Sequence, residues 1–216
     1  MAKKSGEKST VILQAAKKIF SELGYHQTSI ANIAKAAGIA EGTIYLYFVN
    51  KEDILITLLR ESVQNEFLCQ LEKSLSFYED ARFALYEIVR AHFDYFGKDE
   101  ELTKVIQIEL RQTSPTFSNA IKPVFQKHSR LIEAVVKKGQ EQGVFRTDIS
   151  ERSARKLIFG TLDEMVTCWI LSSKKYCLIE MVEPAYKMFS QALMNLNTVY
   201  KIENMPKLKD GSGHED

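Results

Sequence analysis

From Thr28 to Leu55 the chain reads TSIANIAKAAGIAEGTIYLYFVNKEDIL, and the spacing of apolar side chains in this stretch decides the fold. Ser29 is of the type that caps a helix, and Ile30, Ile33, Ala34 and Ala37 then recur at helical spacing up to Gly38, which suits a left-handed ending. The turn Gly38-Ile39-Ala40-Glu41 leads into a second short helix, predicted over Gly42 to Phe48, with Ile44 and Phe48 on its inner face. Asn50 caps the next helix, where Asp53 can close a capping box. Two brief helices joined by a tight Gly-containing turn give the helix-turn-helix outline.

Upstream, from about Lys8, Val11, Ile12, Ala15, Ala16, Ile19, Phe20 and Leu23 share one face, and Gly24 is a natural cap for this first helix. Downstream, a long helix is predicted from Lys51 to about Ser74. Others follow at about Asp80 to Phe96, Glu100 to Gln112, Thr116 to Gln142, Ser150 to Leu171 and Leu178 to Leu196, separated by Gly97, Ser114-Pro115, Gly143 and Ser172-Ser173. The expectation is an all-α chain of about nine helices. Residues 1–7 read as a disordered basic arm, 8–50 as the helix-turn-helix domain, 51–200 as a second helical domain, and 201–216, ending KDGSGHED, as a disordered tail.

The 216 residues are 45% hydrophobic with 10 Gly and 4 Pro, which excludes collagen-like, low-complexity and wholly disordered classes. No apolar run approaches the ~18 residues of a membrane span, and MAKKSGEKSTV has no apolar core behind its lysines, so a cytoplasmic protein with no membrane partner is expected. Cys69, Cys168 and Cys177 lie among apolar neighbours and read as reduced, buried thiols. His26, His92, His128 and His214 show no zinc-ligand spacing; His92 and His128, on apolar faces, read as hydrogen-bonded core groups. No metal and no cofactor are expected. A net charge of +1 argues against a nucleic-acid partner, but the average conceals an asymmetry. Residues 1 to 60 hold eight Lys/Arg against five Asp/Glu, so a DNA-binding function belongs at the amino end.

A helix that reads DNA packs inward through a few apolar side chains and leaves polar or aromatic ones for the major groove. With Ile44 and Phe48 as anchors, Thr43, Tyr45 and Tyr47 project elsewhere, as hydroxyl donors to phosphate and apolar edges for thymine methyls. Gly42 permits close backbone approach. Lys51 adds charge at a helix start, a phosphate site, and Thr28 and Ser29 offer the same chemistry at the preceding one. Tyrosines on a short helix are also ordinary half-buried packing groups. Lys3, Lys4 and Lys8 form an arm that could cross the backbone or the minor groove, or stay solvated.

The stretch from Thr28 to Leu55, GTIYLYF followed by NKEDIL above all, resembles the DNA-binding domain of the TetR family of bacterial repressors. The resemblance implies a helix-turn-helix domain, a helical ligand-binding domain behind it, and a homodimer built by the last two helices on a double-stranded DNA operator. Three further segments, AHFDYF (Ala91 to Phe96), QIELRQTSP (Gln107 to Pro115) and FGTLDEMVTCWI (Phe159 to Ile170), resemble the fatty-acid-responsive FadR regulators of the Bacillus group. This implies that a long-chain acyl-CoA is the effector and that fatty-acid degradation genes are controlled.

An acyl chain needs an apolar tunnel, at about 0.8 kcal/mol per buried methylene, with polar groups at its mouth. Phe93, Phe96, Leu102, Ile106, Leu110, Phe159, Leu162, Met165, Val166 and Trp169 are candidates for the tunnel, and Gln107 and Arg111 for the head of the ligand. Plain core packing and a salt bridge are the ordinary alternatives. Asp163 and Glu164, inside an apolar helix, serve either pocket or dimer seam. Apolar stripes for a dimer run through Ala154, Leu157, Ile158, Thr161 and Leu162, and through Met181, Val182, Ala185, Tyr186, Phe189 and Leu193. Another hydrophobic effector, such as a drug, keeps the class. A small acyl-CoA enzyme changes it, but neither nucleophile-base spacing nor a Gly-rich phosphate loop is present.

Overall fold

The structure is a computed structural model that describes residues 2–109, 114–173 and 176–195. Ten α-helices follow in order: α1 Ala2–Gln27, α2 Ile30–Ala37, α3 Glu41–Ile44, α4 Lys51–Leu59, α5 Leu68–Leu75, α6 Ala81–Lys98, α7 Glu100–Glu109, α8 Pro115–Glu141, α9 Glu151–Leu171 and α10 Val182–Leu193. A π-helical turn, Arg60–Phe67, joins α4 to α5 with right-handed backbone at both junctions, so the three run as one rod. A 3-10 turn, Leu178–Met181, leads into α10. Counting the rod once, the described residues form nine helices, and the all-α expectation holds. Extended pairing among them is one isolated antiparallel bridge between Phe145 and Met194.

Helix α1 differs from its expected bounds at both ends. It begins at Ala2, because the alanine and lysines of the supposed arm are good helix formers. At the other end Gly24 takes φ 76° and kinks the helix instead of ending it, and the helical turn resumes to Gln27. The expected tail, 201–216, lies outside the described residues. Helix α10 ends at Leu193, where Arg146 N–H donates to the Leu193 carbonyl and Asn195 N–H to that of Val144.

The rod carries a regular feature of its own. Leu55, Leu59, Val63, Phe67 and Leu71 are all buried, at a constant interval of four. An α-helix of 3.6 residues per turn advances about 40° too far at each such step. The wider π turn absorbs that drift and keeps the five side chains on one face. The rod's amino end packs against α1 and α8, and α6, α8, α9 and α10 close the core of the second domain.

Candidate DNA-reading helix and effector cavity

Ser29 caps α2 as expected: its Oγ accepts from Asn32 N–H at 3.1 Å, and Asn32 Oδ1 accepts from Ser29 N–H at 2.9 Å. Gly38 ends α2 at φ 66°. The next helix, α3, is shorter than expected, four residues in place of seven. Beyond Ile44 the chain turns through tighter bonds, Leu46 N–H to Thr43 and Tyr47 N–H to Ile44, before Phe48 N–H closes a last α-type bond to Ile44. Ile44 and Phe48 are the buried anchors, while Tyr45 is 57% exposed. Leu46 and Val49 beside it are each 79% exposed, two surface side chains the sequence reading passed over although neither falls on the 44/48 face. Thr43 and Tyr47 are half-buried, and Tyr47 rests partly on the core. At Gly42 a Cβ would meet nothing within 4 Å, so no packing inside the protein reserves that position for glycine.

Two residues assigned to phosphate are committed elsewhere. Thr28 is buried, and its hydroxyl donates to the Gly24 carbonyl at 2.8 Å, closing the kinked end of α1. The Lys51 ammonium lies 4.5 Å above the Tyr25 ring and donates to the carbonyls of Thr28 at 2.6 Å and Tyr25 at 2.7 Å. Lysine at a helix carboxyl end satisfies carbonyls that lack intrahelical partners, a role that sequence spacing does not reveal because Lys51 belongs to a different helix. Burial draws its pKa down, opposed by the Glu109 carboxylate.

That carboxylate also ties the head to the second domain. Glu109, buried at the end of α7, accepts from Tyr25 N–H at 3.0 Å. Lys17 pairs with Asp99 at 2.5 Å, and Ser114 Oγ donates to Glu52 at 2.6 Å.

In the second domain a cavity of about 230 Å³ opens between α6, α7, α8, α9 and the π turn. Of the expected tunnel residues, Phe96, Ile106 and Phe159 line it, and so does Gln107, expected at the head of the ligand. Phe93, Leu102, Leu162, Val166 and Trp169 are instead buried core, and Met165 is half-buried against that core. Their helical faces were read correctly as inward, but the inward side of α6 and α9 is wider than the cavity. Trp169 uses its indole N–H on the Tyr176 carbonyl at 2.8 Å. Leu110 and Arg111 lie outside the described residues. The remaining wall is Val63, Phe67, Val124, Phe125, His92, His128 and Asp163, of which the π turn supplies two.

Asp163 belongs to the cavity, whereas Glu164 is exposed and accepts from the Cys168 thiol at 3.3 Å. Cys168 and Cys177 are exposed and Cys69 half-buried, which corrects the expectation of three buried thiols. For Cys168 the reason is its place on the outward stripe of α9. His92 and His128 are buried as expected but not hydrogen-bonded as expected: neither ring nitrogen of His92, nor Nε2 of His128, has a partner among the described residues. Burial holds both imidazoles neutral, pushing His92 down to about 3 and His128 to about 4. No helix among the described residues is long and apolar enough to cross a membrane.

Comparison with known proteins accounts for both domains. Residues 12–58 match the family described as bacterial regulatory proteins, tetR family, and residues 60–192 match the YsiA-like protein, C-terminal region. The fatty acid metabolism regulator protein of Bacillus subtilis (strain 168) is 34% identical over 184 residues, 85% of this chain and 94% of that one. Among solved structures, the fatty acid degradation regulator FadR from Bacillus halodurans superposes with a TM-score of 0.80 at 38% identity, covering 85% of this chain and 94% of that one. FadR from Bacillus subtilis in complex with stearoyl-CoA gives 0.79 at 34% identity, covering 84% and 97%. A helix-turn-helix head on a cavity-bearing helical domain, matched along both parts, makes this chain a transcriptional regulator of the TetR family, similar to the Bacillus fatty-acid regulators.

Proposed function

We propose that the chain acts as a homodimeric repressor that holds a palindromic operator and is released by a long-chain acyl-CoA, so controlling fatty-acid degradation genes in the cytoplasm. It needs no cofactor and does no chemistry on its effector. The observation that carries this reading is the largely aromatic and aliphatic cavity of the second domain, in a chain 34% identical to a regulator solved with stearoyl-CoA.

The reader is the segment from Gly42 to Val49, with Tyr45 at its front and Thr43, Tyr47 and the Ser29 end of α2 flanking it. One such unit touches few bases, so two must act together across half-sites about 34–36 Å apart. A dimer surface is at hand: Leu157, Gly160, Cys168 and Leu171 are exposed along one stripe of α9, and Met188 is exposed on α10. Of the stripes expected from sequence, Ile158, Leu162, Ala185, Tyr186 and Phe189 are buried within the subunit. Leu157 is the outward one.

The cavity is smaller than the ~300–1,000 Å³ of pockets for drug-sized ligands, so a long chain must part its walls. Two walls lead to the head. Helix α7 gives Ile106 and Gln107 to the cavity and, two residues on, Glu109 to Tyr25; the π turn gives Val63 and Phe67 and continues into α4. Ligand-favoured displacement of either wall shifts the population toward wrongly spaced heads, with a coupling of about 1–3 kcal/mol. Operator binding followed by fluorescence anisotropy tests the reading. Stearoyl-CoA should release the operator while free CoA should not; no release by any long-chain acyl-CoA would reject the effector.

A further inference from the structure

Among the described residues the cavity wall contains no lysine or arginine, yet four of its eleven side chains are polar: His92, Gln107, His128 and Asp163. Gln107 Oε1 already accepts from Thr167 Oγ1 at 2.9 Å, and Asp163 is engaged as well. The imidazoles differ. Both nitrogens of His92 and Nε2 of His128 are shielded from water and lack a partner among the described residues. The two rings lie nearly parallel, 15° apart, with centroids separated by 6.4 Å. That is the ~4.5–7 Å spacing of neighbouring aromatic rings, and phenyl rings close the surroundings: Phe96 at 4.7 Å from His92 and Phe159 at 5.0 Å from His128.

A neutral imidazole carries one N–H donor and one bare nitrogen, and an apolar box that leaves both unpaired is unfavourable. A ligand oxygen reaching this depth could accept from both rings. We infer that His92 and His128 form a hydrogen-bonding subsite inside the cavity for the carbonyl oxygen of an acyl thioester. This rests on the acyl-CoA reading and deepens it. Phosphates find no cation among the described wall residues, which favours a nucleotide held outside. The methylenes offer no acceptor. The thioester carbonyl is the one polar group of the ligand that must leave water as the chain enters, and the two imidazoles are the groups that match it. They therefore select an acyl ester over an equally long alkyl chain.

The test compares stearoyl-CoA with its S-octadecyl thioether, identical except that a methylene replaces the carbonyl, by calorimetric titration. The wild-type protein should bind stearoyl-CoA about tenfold tighter or more, the worth of one or two buried hydrogen bonds. The variant H92F/H128F should bind both compounds to within about threefold, with a melting temperature no lower than that of the wild type, since unpaired polar groups have been removed. Equal affinities in the wild type would overturn the subsite while leaving the acyl-CoA reading intact, and so would a full preference retained by the folded double variant. Failure of the wild type to bind either compound would overturn both. The wild-type comparison stands even if the double variant does not fold.

Discussion

Lys51→Met separates two accounts of one side chain. The substitution keeps the aliphatic stem and removes the ammonium, which donates at 2.6 and 2.7 Å to the carbonyls of Thr28 and Tyr25. A hydrogen bond to a charged group contributes about 1.5–3 kcal/mol, and a carbonyl left without a partner loses about 1–3. Because Lys51 is only half-buried, water re-satisfies part of this, and a net loss of about 2–3 kcal/mol is expected. In a protein of this size that lowers Tm by about 5–10 °C. Calorimetric melting of the free protein reads this directly. The salt dependence of operator affinity gives the complementary reading, since each phosphate contact contributes about 0.9 to the slope of log K against log salt. Here the slope should not change. A Tm within about 1 °C of the wild type, together with a slope reduced by about one contact per subunit, would refute the reasoning and return Lys51 to the phosphate.

Tyr45→Ala should weaken operator binding by about tenfold or more while leaving Tm and acyl-CoA binding unchanged, because the side chain is 57% exposed; a fall in Tm would make Tyr45 structural. Leu157→Glu, on the outward stripe of α9, should yield monomers in sedimentation and abolish operator binding, and persistence of a dimer would move the interface elsewhere. The buried histidines give stability a pH dependence of known sign. The unfolded chain takes up protons as pH falls below about 6.5, whereas the folded protein does not until about 4 for His128 and about 3 for His92, in a setting faced by Asp163 and Arg155. Stability should therefore decline across that window, by up to about 1.4 kcal/mol per pH unit for each imidazole. His92→Phe should flatten the decline, and parallel profiles would contradict the assignment.

The fold was largely legible because helical periodicity reports which side of an element faces inward, and the caps at Ser29, Gly38 and Asn50 report where elements begin and end. The candidate reader was legible for the same reason: Ile44 and Phe48 occupy the inner face, and Tyr45 has only the surface left. Residues whose partners are remote in sequence were opaque. Nothing near Lys51 announces that its ammonium closes α1, and nothing near Glu109 announces Tyr25. The cavity was half legible. Phe96, Ile106, Gln107 and Phe159 were found because they are inward and close to segments of family resemblance, while Phe93 and Trp169 are equally inward and simply pack. Distinguishing wall from core requires knowing which helices fail to touch, and that is a property of their crossing rather than of any one stripe. Val63 and Phe67 were opaque for another reason: Lys51 to about Ser74 reads as one ordinary α-helix, which gives no sign of the π turn that carries both.

The spacing of four along the rod has a consequence for comparing relatives. A π turn amounts to one residue inserted into an α-helix, so the segment from Arg60 to Phe67 carries a surplus residue. Removing Gln64 would turn the even interval of four into steps of four, four, three and four, a rhythm a uniform α-helix tolerates, with Leu55 and Leu71 still on the core side. A homologue aligned with a single gap at this place would keep the scaffold and lose the widened turn that sets Val63 and Phe67 into the cavity. The gap would then mark a change of ligand pocket inside an otherwise unchanged architecture.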